Sequence, residues 1–130
     1  MNGQTPSFIK PSARKRRAAE ILGRNAEDDA ANLLREAGFT VLARRLRTGA
    51  GEIDLVAANA RMLVFVEVKA RGSLAEAAYA VSARQQARLL AAAESALAQN
   101  PGWARPETRF DVALVAGGPV QIIEDAIRYS

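Results

Sequence analysis

The chain of 130 residues contains no cysteine and no histidine. Without cysteine there is neither a disulfide nor a thiol nucleophile, which fits a reducing, cytoplasmic setting. The missing histidine excludes more. Ser-His-Asp and Cys-His catalysis, imidazole zinc sites and histidine general bases all fall together. Any chemistry must run on carboxylates, lysine, arginine, hydroxyls and a metal. A donor set of carboxylates alone favours a hard cation, Mg²⁺ or Mn²⁺. No apolar run approaches the ~18 residues that would span a membrane. The opening MNGQTPSFIKPSARKRR has no apolar stretch of the kind a secretory signal needs, so none is expected.

What is present is an ordinary globular composition, 49% hydrophobic and 25% charged, enough for one domain with its own core. The net charge of +4 is unevenly spread. Lys10, Arg14, Lys15, Arg16 and Arg17 place five positive charges within eight residues. Removing them from the 18 basic residues leaves 13 against 14 acidic ones. The basic pI therefore belongs to the N-terminal arm, either a solvated tail or a source of unspecific phosphate affinity.

The most informative stretch is GEIDLVAANARMLVFVEVKAR, residues 51–71. Two short apolar runs, Ile53–Ala58 and Met62–Val68, flank a polar break at Asn59–Arg61, which predicts a β-hairpin. Side chains alternate faces along a strand. Glu52 and Asp54 are expected on one face, Glu67 and Lys69 on one face, and Ile53, Leu55, Val64, Val66 and Val68 on the other. An even-length turn makes the two acidic faces coincide. Asp54 and Glu67 then lie opposite or diagonal, roughly 5–8 Å apart at Cβ. That gap suits one divalent cation with oxygen ligands, with the Lys69 ammonium beside it. A plainer reading is a half-solvated strand carrying an ordinary Glu–Lys pair. Leu63 and Phe65 share the face of Glu67, however, and a covered carboxylate is costly unless paired or metal-bound.

Along the chain, residues 1–13 read as a disordered basic lead-in and 14–130 as a single domain. Arg14–Ala37 has a helical pattern, with Gly23 a candidate break within it, and an apolar stripe of Leu22, Ala26, Leu33 and Ala37; Gly38 is the stop. Asp28, Asn32 and Arg35 fall on the solvent side, whereas Glu27 shares the flank of the stripe with Ala31 and Leu34, from which it can reach inward. Phe39–Leu46 reads as a strand leading into a Thr48–Gly51 turn. Leu74–Gln99 reads as a helix with a stripe of Val81, Leu89, Leu90, Ala93 and Leu97, ended by Asn100-Pro101-Gly102. Thr108–Ala116 and Val120–Ile123 are strands, and Asp125–Tyr129 is at most one helical turn. The order α-β-β-β-α-β-β predicts an α/β fold, a mixed sheet covered by helices.

That order, with Glu on the first helix, Asp on the second strand and ExK on the third, resembles the PD-(D/E)XK nuclease superfamily. GRNAEDDAANLLREAGF, RRLRTGAGEIDLVA, LVFVEVKAR and RFDVALV further resemble the YraN family of small bacterial proteins, placed near archaeal Holliday-junction resolvases. The resemblance spans roughly residues 20–127. It implies a restriction-endonuclease-like core and a catalytic set of Glu27, Asp54, Glu67 and Lys69. It implies Mg²⁺ or Mn²⁺ held by Asp54 and Glu67, with the Val68 carbonyl and Glu27 as further ligands. Two positions depart from the family: Arg45 stands where asparagine is common, and Gln85 where relatives often carry lysine, leaving Arg84 or Arg88 to grip phosphate.

The expected function is a metal-dependent endonuclease acting on DNA, including branched or recombination intermediates. Arg44, Arg45, Arg47, Arg71, Arg84 and Arg88 are its candidate nucleic-acid contacts. Resemblance to resolvases implies a homodimer, because two nicks on a symmetric junction need two sites. The alternative is a non-catalytic nucleic-acid-binding module that keeps the nuclease fold.

Overall fold

A computed structural model describes residues 13–69, 83–115 and 118–126. Helix α1 spans Ala13–Glu36 and is followed by strands β1 (Thr40–Thr48), β2 (Gly51–Ala58) and β3 (Met62–Lys69). Helix α2 covers Ala83–Gln99; a 3₁₀ turn at Pro101–Trp103 leads to β4 (Glu107–Leu114) and β5 (Gln121–Ile123). The five strands form one sheet in sequential order. All neighbours are antiparallel except β3 and β4, which run parallel because α2 carries the chain back to the starting edge between them. The result is the α/β architecture of a restriction-endonuclease-like core.

Each helix covers one face of the sheet. Leu89, Ala92, Ala93 and Ala96 of α2 pack on Val56, Leu63, Phe65, Phe110, Val112 and Leu114. Ala30, Ala31 and Leu34 of α1 pack on Leu55, Ala57, Val64, Val66 and Ala113. Alanine lets both helices approach closely while remaining the best helix former. Leu63–Val66 is buried on both faces, as a central strand should be. Phe65 and Phe110, paired across β3 and β4, stack at 5.4 Å between ring centroids.

Turn chemistry sets the register. Asn59 Oδ1 accepts the N–H groups of Arg61 and Met62 at 2.9 and 2.7 Å, leaving a two-residue turn between β2 and β3. Thr48 Oγ1 likewise accepts Ala50 N–H and Gly51 N–H, both at 3.1 Å, to close the β1–β2 hairpin. At the end of α1, Gly38 (φ +93°) is the left-handed residue of a Schellman motif, with Phe39 N–H bonded to Leu34 O and Gly38 N–H to Arg35 O.

Several expectations are corrected here. Helix α1 runs through Gly23 without a break, and its buried side is Ala26, Glu27, Ala30, Ala31 and Leu34, with Ala37 exposed beyond the helix end. Strand β1 continues to Thr48 rather than ending at Leu46. Ile53 joins the α2 cluster instead of sharing a face with Leu55. The cause lies in β1. Arg45 has φ +50°, and it falls between the paired positions Arg44↔Leu55 and Leu46↔Ile53. A left-handed residue rotates the strand there, so Leu46 and Ile53 face α2 while Leu55, two residues on, faces α1. The beginning of the second predicted helix (74–82), Ala116 and residues 127–129 lie outside the described residues, as does the 1–12 part of the lead-in.

Candidate active site

The ladder between β2 and β3 starts at Ala58↔Leu63 and ends at Leu55↔Val66. One more step of the same pairing would set Asp54 across from Glu67. There the strands part, and the Asp54 side chain replaces the missing backbone bond: its Oδ2 accepts the Val68 N–H at 2.7 Å. Adjacent N–H and C=O groups of one strand residue point to the same side, so the Val68 carbonyl also faces β2. Lys69, one residue on, uses its carbonyl on the opposite side to accept Val115 N–H from the β4 end at 2.8 Å. Alternation from Phe65 puts Glu67 and Lys69 on the α2 face.

Both acids are half-buried, and both resist ionisation. Burial pushes the Glu67 carboxyl up to about 7, and the charge of Asp54 adds to the effect; Lys69 and Arg88 partly oppose it. Burial also raises Asp54, against the Val68 hydrogen bond, with the charges of Glu27 and Glu52 adding. Among the described residues Lys69 makes no ion pair, so the ordinary Glu–Lys pair of the plainer reading is not formed.

Glu27 is 6% exposed on α1 and is gripped by two consecutive arginines of β1. Arg44 Nε donates to Oε1 at 2.9 Å and Arg45 Nε to Oε2 at 3.1 Å. Consecutive strand residues normally point to opposite faces; the left-handed turn at Arg45 lets both reach one carboxylate. Arg44 also bonds the exposed Asp28, and that hydrogen bond holds the Asp28 carboxyl below the usual range. Among the described residues, no three acids draw together into a metal-ligand group. Asp54 and Glu67 form a pair, and Glu27 acts on Asp54 through its charge while bonded elsewhere.

The expected basic rim divides. Arg44 and Arg45 are engaged by acids. Arg47 is 90% exposed at its side chain and 3.7 Å from Glu52, which is itself an edge residue. Arg88 is exposed on α2 and makes no ion pair among the described residues. Arg71 and the side chain of Arg84 lie outside them. Sequence reasoning missed Gly51. Its φ is +142°, and a Cβ there would lie 2.7 Å from Arg88 Nη1 and 3.3 Å from Arg88 Cγ. The only available signal was a glycine immediately before the acidic strand.

No helix among the described residues is long and apolar enough to cross a membrane. Residues 26–115 match the family described as Uncharacterised protein family UPF0102. The chain is 54% identical over 116 residues to a UPF0102 protein of Acidiphilium cryptum, covering 89% of this chain and 91% of that one. It is 50% identical over 107 residues to one of Rhodopseudomonas palustris, with 82% of each covered. A third, from Azorhizobium caulinodans, is 51% identical over 105 residues, 81% of this chain and 80% of its own.

Proposed function

The chain belongs to the uncharacterised protein family UPF0102, the YraN family whose motifs it carries, and we propose that it is a divalent-metal-dependent endonuclease cleaving phosphodiester bonds of DNA, branched recombination intermediates among them. The observation that carries this reading is the gap beyond Leu55↔Val66, where Asp54 and Glu67 sit half-buried beside a lysine paired to neither. Two carboxylates held this way destabilise each other until a cation arrives. Oxygen donors alone, with the Val68 carbonyl turned to the same gap, fit a hard metal such as Mg²⁺ or Mn²⁺. Such an ion supplies Lewis-acid polarisation of the phosphodiester and ionised water at neutral pH.

The remaining roles fall to the protein. Asp54 and Glu67 would hold the ion, and Asp54, through its bond from Val68 N–H, ties the two strands together where they part. Lys69 orients the attacking water and offsets negative charge that develops on the scissile phosphate. Arg47 and Arg88 hold neighbouring phosphates, joined by Arg71 and Arg84. Glu27 fixes Arg44 and Arg45, and thereby the left-handed turn facing Asp54. The resemblance to resolvases carries the homodimer and DNA as substrate; the absence of cysteine supports a cytoplasmic setting.

One observation favours a second reading. Glu27 is already bonded to two arginines, which leaves two acids for a metal. A binding module that retains the fold without cleaving would look the same. Labelled duplex, single-stranded and branched DNA, and RNA, incubated with Mg²⁺ or Mn²⁺, decide between them. Wild type should cleave at least one substrate and Glu67→Gln none. Metal-independent binding without cleavage of any substrate would leave the binding module.

A further inference from the structure

We propose that Gly51 and Arg88 act as one unit that seats a nucleic-acid phosphate beside the Asp54–Glu67 gap, Arg88 taking the phosphate and Gly51 positioning Arg88. This deepens the reading above and rests on it.

The Arg88 side chain lies along Gly51 for most of its length. A Cβ on Gly51 would meet Arg88 at Nη1 (2.7 Å), Cγ (3.3 Å) and Cδ (3.4 Å), so both the stem and the head occupy the space a side chain would fill. A bare Cα is therefore what lets the α2 arginine lie down at the start of β2, next to Glu52 and one strand from Glu67. Its charge reaches Glu67 without a bond to it. Of the other described arginines around the site, Arg44 and Arg45 are held by Glu27, and Arg47, almost fully exposed, lies 3.7 Å from Glu52 with little packing to fix it. Arg88 is held in place by packing, is exposed, and keeps its donors unused among the described residues. A planar guanidinium offers a fork of N–H donors that matches the oxygens of a phosphodiester. Were its role only to neutralise Glu67, it would be expected to close an ion pair with it.

The test is a double-mutant cycle read by binding rather than cleavage. Wild type, Gly51→Ala, Arg88→Ala and the double variant are titrated with a labelled DNA duplex in EDTA while the salt concentration is varied. Arg88→Ala should weaken binding several-fold and reduce the slope of log K against log salt by about 1, the signature of one lost phosphate contact. Gly51→Ala should reproduce most of that loss alone and add nothing in the Arg88→Ala background. The melting temperature of Gly51→Ala should fall in both backgrounds, because the strain at φ +142° persists without Arg88, and fall somewhat less once the Arg88 side chain is gone. The binding cycle thus moves where a purely structural role would not. If Gly51→Ala fails to fold, Arg88→Lys decides instead: the slope should persist while affinity drops, since charge remains and the fork is lost. The inference is overturned if Arg88→Ala binds with the wild-type slope, or if Gly51→Ala weakens binding equally without Arg88. Wild type that neither binds nor cleaves overturns the reading of the whole site. Wild type that cleaves while Arg88→Ala binds normally overturns this inference alone.

Discussion

Asp54 Oδ2 accepts the Val68 N–H at 2.7 Å, a side chain doing the work of a ladder bond where β2 and β3 part. The bond places a carboxylate inside the sheet's own splay, facing Glu67. It also gives Asp54 a structural part beside the metal-holding one proposed for it, and the two can be separated.

Asp54→Asn keeps an acceptor for Val68 and removes the charge that repels Glu67. In EDTA above pH 7 it should melt a few degrees higher than wild type, about 1 kcal/mol for a domain of this size, while binding Mn²⁺ far more weakly. Asp54→Ala leaves the Val68 N–H without its partner and should show no such gain. Calorimetric melts and Mn²⁺ titrations check both; a destabilised Asp54→Asn protein would mean that the two acids do not oppose each other.

The metal-free protein should lose stability as pH rises through the range in which Glu67 titrates. Its carboxyl is raised from the usual 4.5 to about 7, so the folded state holds a proton that the unfolded state releases. The stability this contributes is fully present below about 4.5 and is gone above about 7. Asp54, also raised, adds in the same direction. Melts in EDTA across this range should show a decline of order 2 kcal/mol in wild type and a much flatter profile in Glu67→Gln. Parallel profiles would contradict the burial of Glu67.

Glu27→Gln should destabilise by roughly 1–3 kcal/mol, because a buried carboxylate serving two arginines is replaced by a neutral amide. Arg45→Gly should cost less than Arg44→Ala: it loses one ion pair but relieves a positive φ that only glycine adopts freely. Urea melts give the order, and Arg45→Gly as the most damaging of the three would refute the account of the turn.

Asp111 is fully buried on β4, bonded twice by Arg109 at 2.9 Å and by the Asp125 N–H. Arg109 also reaches Glu124 and lies over the Phe39 ring. Asp111→Ala takes from a mostly buried guanidinium its buried partner and should cost about 3–5 kcal/mol while leaving metal affinity unchanged, since Asp111, paired with Val66 beside Glu67, lies on the α1 face of the sheet and Glu67 on the α2 face. A comparable loss of Mn²⁺ binding in folded protein would show coupling that the geometry does not provide.

Much of this was legible in the sequence. Given an even-length turn, the alternation of EVK on β3 brings Asp54, Glu67 and Lys69 to one gap by parity, and the two-residue turn after Asn59 meets that condition. The helix wheel set Glu27 with Ala31 and Leu34 on the flank of the expected stripe; all three lie on the buried side itself. Parity failed at Ile53, because it assumes a regular strand and no local pattern announces a left-handed arginine at position 45. The same turn explains why Arg44 and Arg45, read as free cations, are spent on Glu27. Gly51 read as a turn residue because the need for a bare Cα comes from Arg88, distant in sequence. Long-range approach of this kind leaves no periodicity to read.

In the proposed function, Lys69 stands beside a metal-holding carboxylate pair and acts on charge that develops during cleavage. Lys69→Gln tests it most directly, with cleavage and binding measured on the same DNA substrate in Mg²⁺. Cleavage should fall about 10²–10³-fold, the scale for losing one such group. Binding of intact substrate should change little, because the lost interaction belongs mostly to the transition state. Equal losses of binding and cleavage, or a melting temperature that drops in EDTA and recovers with Mg²⁺, would instead make Lys69 a neutralising partner of Glu67.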